Sequence, residues 1–166
     1  MRRETRTIKV GDVKIGSGNP ITVQTMTKTD TRDIEATVLQ INNVEAEGCQ
    51  IVRCAVPDME AAKALRGIVK KTNIPIVADI HFDYRLAIEA LKSGIHCLRI
   101  NPGNIGNRRR IEEVVQRLKG EGVPVRIGVN SGSLEKDILK KYGSPTSEAL
   151  VESAIRHIEI LDELNF

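Results

Sequence analysis

The strongest constraint on this chain is an alternation that runs through it from residue 21 onward. Short apolar runs at residues 21–27, 49–56, 76–81, 96–101 and 124–130 are too brief for helices and read as strands. Between them apolar residues recur at helical spacing. The sets are Ile34, Val38, Ile41 and Val44; Met59, Ala62, Leu65, Ile68 and Val69; Leu86, Ala87, Ala90 and Leu91; and Ile111, Val114, Val115 and Leu118. Asp58 and Asp83 stand where N-caps belong, while Gly48, Gly94, Gly120 and Gly122 stand where helices stop. After the fifth strand a short helix carries Leu134, Ile138 and Leu139, and a last helix covers residues 146–164. Such alternation builds a parallel sheet covered by helices. Ahead of it, residues 7–16 alternate around Gly11-Asp12 as Ile8, Val10, Val13 and Ile15, which predicts a β-hairpin acting as a lid or plug. Nothing after Gly18 reads as a linker, so one domain is expected over residues 1–166.

The placement of polar residues decides between two parallel architectures. Gln24 and Thr25, Arg53, Asp79 and His81, Arg99 and Asn101, and Arg126 and Asn130 all lie within their strands or at the C-terminal ends. In a TIM-type (β/α) barrel those ends form the active-site face. A doubly wound sheet usually announces a phosphate loop after its first strand, and this sequence has no GxGxxG or GxxxxGK[ST]. The expected class is therefore α/β, a TIM-type barrel of which about five βα units are present, preceded by the hairpin.

Three arginines inside strands sharpen the reading. A guanidinium cannot shed its charge, so burial near a sheet demands carboxylate or phosphate partners. The nearby acid at strand ends is mainly Asp79, which leaves an excess of positive charge that a ligand with more than one anionic group would satisfy. A diphosphate fits best. His81 beside Asp79 is open to several readings: general acid, phosphate donor, metal ligand, or a hydrogen-bonded structural residue. As a metal site it lacks partners, because His96 begins a strand and His157 lies on a helix. Arg108-Arg109-Arg110 opens a helix and reads as a solvated patch or the rim of an anion-attracting site.

Composition removes other classes. No apolar run approaches the roughly 20 residues of a membrane span, and the charged start leads into an alternating pattern instead of a signal-peptide core, so a cytoplasmic protein is expected. A net charge of +3 with two tyrosines, two phenylalanines and no tryptophan argues against a nucleic-acid partner. The three cysteines, Cys49, Cys54 and Cys97, form no CxxC pair and are expected in the core.

Four motifs then align in order with one family. Val52-Arg53-Cys54-Ala55-Val56-Pro57, Ala78-Asp79-Ile80-His81-Phe82, Leu98-Arg99-Ile100-Asn101-Pro102-Gly103-Asn104 and Arg126-Ile127-Gly128-Val129-Asn130-Ser131-Gly132-Ser133-Leu134 resemble the strand-end motifs of the 4-hydroxy-3-methylbut-2-enyl diphosphate synthases. Gln24-Thr25-Met26-Thr27 matches as well. The resemblance implies reductive ring opening of 2-C-methyl-D-erythritol 2,4-cyclodiphosphate to a linear allylic diphosphate in isoprenoid biosynthesis. It also implies a [4Fe-4S] cluster in a C-terminal domain, electrons from ferredoxin or flavodoxin, and a homodimer. Carried over, Arg53, Arg99 and Arg126 would hold the diphosphate, helped by His81, Asn101 and Asn130, with Asp79 orienting groups in the pocket. The cluster's cysteines lie beyond this chain, and none of Cys49, Cys54 or Cys97 has the context to replace them. The expectation is thus the N-terminal barrel portion of such an enzyme, inactive alone. The competing expectations are another phosphate-binding barrel enzyme such as a pterin-condensing synthase, a non-catalytic remnant, or a nucleic-acid module using Arg108 to Arg110.

Overall fold

The computed structural model, which describes residues 3–81, 83–100, 105 and 108–166, turns the alternation into one parallel sheet. Its strands are β3 (Gln24–Met26), β4 (Ile51–Ala55), β5 (Ile76–Ile80), β6 (Cys97–Ile100) and β7 (Val125–Ile127), lying side by side in chain order. Four helices connect them: α1 (Ile34–Ala46), α2 (Met59–Lys71), α3 (Tyr84–Lys92) and α4 (Arg108–Glu121). Asp33, Asp58 and Asp83 each accept a hydrogen bond from a first-turn backbone N–H and so fix where α1, α2 and α3 begin.

The strand order settles the architecture. A doubly wound sheet reverses direction at a switch point, whereas here each strand adds beside its predecessor. Crossovers of one hand then place every connecting helix on the same face. The side chains agree. Val52, Cys54, Ile76, Ala78, Ile80, Leu98 and Ile100 pack with Ile41, Leu65, Ile68, Leu91 and Leu118 of the helices in one buried core. Each buried Leu or Ile stabilises the fold by roughly 1.5–3 kcal/mol. The opposite, concave face is the interior of a barrel of which these five strands form a part.

That interior has two layers. Toward the N-terminal ends of the strands, Ile51, Val77 and Cys97 form an apolar floor. The hairpin of β1 (Ile8–Val10) and β2 (Val13–Ile15) docks on it through Val10, which is buried. The hairpin is therefore a plug at the end remote from the strand C-termini, which resolves the lid-or-plug alternative. One residue pair further along the register lies a polar layer, with Asp79 beside Arg99 and Arg99 beside Arg126.

Element boundaries differ from the sequence expectation in three places. The first strand is Gln24–Met26, because Ile21 and Val23 lie at the outer edge of the sheet and remain exposed. The fifth is Val125–Ile127, although the Gly128 N–H still donates to the Ile100 carbonyl at 2.9 Å. Helix α4 continues through Gly120, and the chain turns at Gly122, whose φ of +65° suits a residue without Cβ. Beyond β7, α5 (Lys136–Tyr142) and α6 (Ser147–Glu163) enclose a small second core of Leu134, Ile138 and Ala149. Val151, Ile155 and Ile158 remain exposed on α6, and among the described residues β3 and β7 have no outer partner strand.

Candidate anion site

Side chains two apart in extended chain share a face, so Asp79 on β5 and His81 just past its end both enter the concave interior, while β4 contributes Arg53 and β6 contributes Arg99. The four meet. Arg99 Nη1 donates to Asp79 Oδ1 at 2.8 Å, and Arg53 Nε lies 3.2 Å from Asp79 Oδ2, so one carboxylate is shared by two guanidinium groups. His81 Nε2 stands 3.1 Å from Asp79 Oδ1 and 2.9 Å from Arg99 Nη1. Asp79 and Arg99 are almost wholly buried, at 2% and 7% side-chain exposure, whereas Arg53 and His81 keep 30% and 41%. Asp79 is thus the buried template on which the cations are arranged, and the more open groups face the mouth of the interior.

Arg126 extends the cationic face along β7. Its Nη1 donates to Gln24 Oε1 at 2.8 Å, so the partner of this charge is a neutral amide. Gln24 belongs to β3 at the other edge of the sheet, and the contact shows how strongly the sheet curls. Three guanidinium groups therefore face this layer with Asp79 as the only carboxylate bonded to them among the described residues. The outer rim differs: Arg32 has Asp30 and Asp58, Arg85 has Asp83, and Arg108 has Glu112 and Glu163. Arg110 lies over the Tyr84 ring at 5.5 Å, and the Arg108 to Arg110 run is exposed.

Of the expected site residues, Arg53, Asp79, His81 and Arg99 form one bonded cluster, and Arg126 shares their face. Asn130 lies beyond the end of β7, is exposed, and accepts the Ser133 N–H through its backbone carbonyl at the start of a short 3-10 turn. Asn101 lies outside the described residues. Three further contributors stand in the sequence motifs with no role assigned to them there. Gln24 anchors Arg126. Met26 offers its Sδ to Arg53 Nη2 at 3.1 Å. Gly128 leaves room for Arg99, whose Nη2 donates to the Gly128 carbonyl at 3.2 Å. Gln24 opens the short strand β3, level with Ile51, and Met26 closes it, level with Arg53.

The cysteines do not fit an iron–sulfur cluster. Cys54 is buried on the helix side of the sheet and Cys97 on the hairpin side, where burial pushes both thiols up to about 11. Cys49, also buried, hydrogen-bonds the Ile51 carbonyl. Among the described residues no group of three or more His, Cys, Asp or Glu side chains is placed to hold a metal, and no helix is long and apolar enough to cross a membrane.

A chain-order parallel sheet, helices on its convex face and a cationic layer on its concave face define a (β/α)-barrel protein. Residues 5–166 match the GcpE TIM-barrel domain, and the chain belongs to that family. It is 63% identical over 165 residues to the 4-hydroxy-3-methylbut-2-en-1-yl diphosphate synthase (flavodoxin) of Clostridium tetani, covering 99% of this chain and 47% of the relative. To the protein of the same name from Cellvibrio japonicus it is 58% identical, covering 100% of this chain and 44% of the relative. The chain thus spans about half the length of the curated relatives it matches. Among solved structures, the dihydropteroate synthase of Yersinia pestis superimposes with a TM-score of 0.56 at 10% identity, covering 90% of this chain and 58% of that one. The Xanthomonas albilineans dihydropteroate synthase gives 0.53 at 16% identity, covering 89% and 57%. At such identities the likeness shows the fold alone, and it accounts for the pterin-synthase alternative as shared architecture.

Proposed function

We propose that this chain forms the diphosphate-holding part of a 4-hydroxy-3-methylbut-2-en-1-yl diphosphate synthase. The substrate is 2-C-methyl-D-erythritol 2,4-cyclodiphosphate, which is opened at a carbon–oxygen bond and loses its hydroxyl as water, with uptake of two electrons and a proton. The observation that carries the reading is the excess of guanidinium over carboxylate on the inner face: Arg53, Arg99 and Arg126 against Asp79. Family membership and the relatives' shared name support the chemistry.

In this reading Arg53, Arg99 and Arg126 bind the diphosphate oxygens through forked N–H donors, with His81, Asn101 and Asn130 adding hydrogen bonds. Asp79 does not reach the ligand; it fixes the orientation of two of the forks. Opening the ring breaks a carbon–oxygen bond, and the departing electron pair leaves negative charge on a diphosphate oxygen. A preorganised cationic face stabilises that charge without reorganising at the moment of reaction. Flavodoxin, the donor in the relatives' names, or a ferredoxin would supply the electrons, and a [4Fe-4S] cluster would relay them; among the described residues no group of His, Cys, Asp or Glu side chains is placed to hold that cluster. The complete protein acts as a homodimer in the cytoplasm, and this portion alone is inactive.

Isothermal titration of the cyclodiphosphate against the purified chain tests the proposal. Saturable binding that weakens as salt is raised supports it; no heat of binding at millimolar ligand contradicts it.

A further inference from the structure

Strand β3 offers its two inward side chains, Gln24 and Met26, to arginines of other strands. Arg126 Nη1 donates to Gln24 Oε1 at 2.8 Å, and Arg53 directs Nη2 and Nε at Met26 Sδ, at 3.1 and 3.4 Å. A guanidinium carries only donors, so it meets the oxygen of the amide and never the nitrogen. Both acceptors that β3 supplies are uncharged. The inner-face arginines therefore have two kinds of partner. Asp79 holds Arg53 and Arg99 and cancels one of their two charges. Gln24 holds Arg126 and cancels none.

Counting arginines and carboxylates among the described residues of this face, three cations against one anion leave two net positive charges. A cyclic diphosphate carries one negative charge on each phosphate, so its binding neutralises the face without reversing it. Shape alone does not require an amide at position 24. Glutamate has the same length and reach, and its carboxylate would bond a guanidinium more strongly, as a charge-assisted pair. It would also leave the face with a single net positive charge. What glutamine does and glutamate cannot is to orient Arg126 without discharging it. Gln24 and Arg126 are both half-buried, so water screens this region only in part and a difference of one charge is felt by a ligand.

We infer that Gln24 is a positioning residue that sets the charge of the anion site: its amide fixes Arg126 across the concave face and leaves the whole charge of that guanidinium to the ligand, which matches the face to a dianion. The inference rests on the proposed diphosphate site and adds to it the reason that a neutral side chain stands opposite Arg126.

Calorimetric titration of the chain with 2-C-methyl-D-erythritol 2,4-cyclodiphosphate, at salt concentrations of about 50 and about 500 mM, tests it on Gln24→Glu and Gln24→Met, beside thermal unfolding without ligand. In Gln24→Glu the affinity at low salt should fall roughly thirtyfold or more, and its logarithmic response to salt should fall by about half, because the screened attraction scales with the product of the two charges. The melting temperature of this variant should stay at or above that of the parent, since the new carboxylate strengthens the bond to Arg126. Gln24→Met releases Arg126 but keeps its charge. Its affinity should fall by no more than about tenfold, with the parent's response to salt and a lower melting temperature. Parent-like binding by Gln24→Glu overturns the inference and leaves the proposed function standing, as does an equal loss with an equal response to salt in both variants. A melting temperature that falls together with affinity in Gln24→Glu also overturns it, since a residue that only fills space gives that result. No binding to the unmodified chain overturns both.

Discussion

Gly128 on the β7 side and Arg99 on β6 are fitted to each other: a Cβ built at residue 128 would lie 2.1 Å from Arg99 Nε and 2.5 Å from Cζ. Residue 128 is not among the glycines with positive φ, so the backbone there tolerates any side chain. The space, not the conformation, requires glycine. Gly128→Ala must therefore expel the Arg99 guanidinium from its contacts with Asp79 and the Gly128 carbonyl. The expected outcome is a loss of about 1–3 kcal/mol in stability by denaturant unfolding, as in other overpacked sites. Affinity for the cyclodiphosphate should fall at least tenfold.

Asp79 is buried between two guanidinium groups, and its removal leaves them facing each other. Asp79→Asn keeps the shape and deletes the charge. Because Arg99 is as buried as its partner, about 3 kcal/mol of stability should be lost, within the range for breaking a buried ion pair from one side. Adding the dianionic ligand should restore more of the melting temperature in this variant than in the parent, since the ligand supplies the missing charge.

The hairpin's attachment depends on Val10, which sits on Ile51, Val77 and Cys97. Val10→Asp places a carboxylate on an apolar floor and should free the plug at a loss of roughly 2–5 kcal/mol. Hydrogen exchange measures this directly. The amides of β1 and β2 should lose protection while those of β5, in the middle of the sheet, keep theirs.

Cys54 and Cys97 give the fold an alkaline limit. Burial holds both thiols neutral up to about 11, above the value of 9.0 for an unperturbed thiol. Above pH 9 the unfolded chain releases these protons while the folded chain retains them, so folding stability is fully present below pH 9 and declines as pH rises through about 11. Urea unfolding followed from pH 8 to 11 should show this decline, and Cys97→Ala should flatten part of it. Alkylation at pH 8 should be slow in the native chain and rapid once it unfolds.

The fold was legible where local chemistry determines it. Capping aspartates located the starts of α2 and α3, helical spacing located α1, and the two-residue period of strands put Asp79 with His81 on one face. The grouping of Arg53, Asp79, His81 and Arg99 followed from barrel logic, because strand ends converge there. What could not be read depends on curvature and register. Gln24 and Arg126 are 102 residues apart in sequence and meet across the concave face, a contact that no local pattern encodes. Gly128 carried no assigned role in its motif, since its constraint is the path of a side chain on the neighbouring strand. The division of Asp79 between two arginines needed the pairing of β4, β5 and β6. The plug's end of the sheet needed the contacts of Val10.

The central claim is that the three inner-face arginines hold an anionic ligand. Its most direct test is calorimetric titration of 2-C-methyl-D-erythritol 2,4-cyclodiphosphate against the chain and against Arg53→Met, Arg99→Met and Arg126→Met, with Arg117→Met on the outer helix α4 as the control. Each inner-face substitution should weaken binding by about 2 kcal/mol, roughly thirtyfold, as expected for a charge-assisted hydrogen bond lost from a partly buried site, while Arg117→Met leaves it unchanged. Equal affinity in the parent and all three inner-face variants would contradict the account.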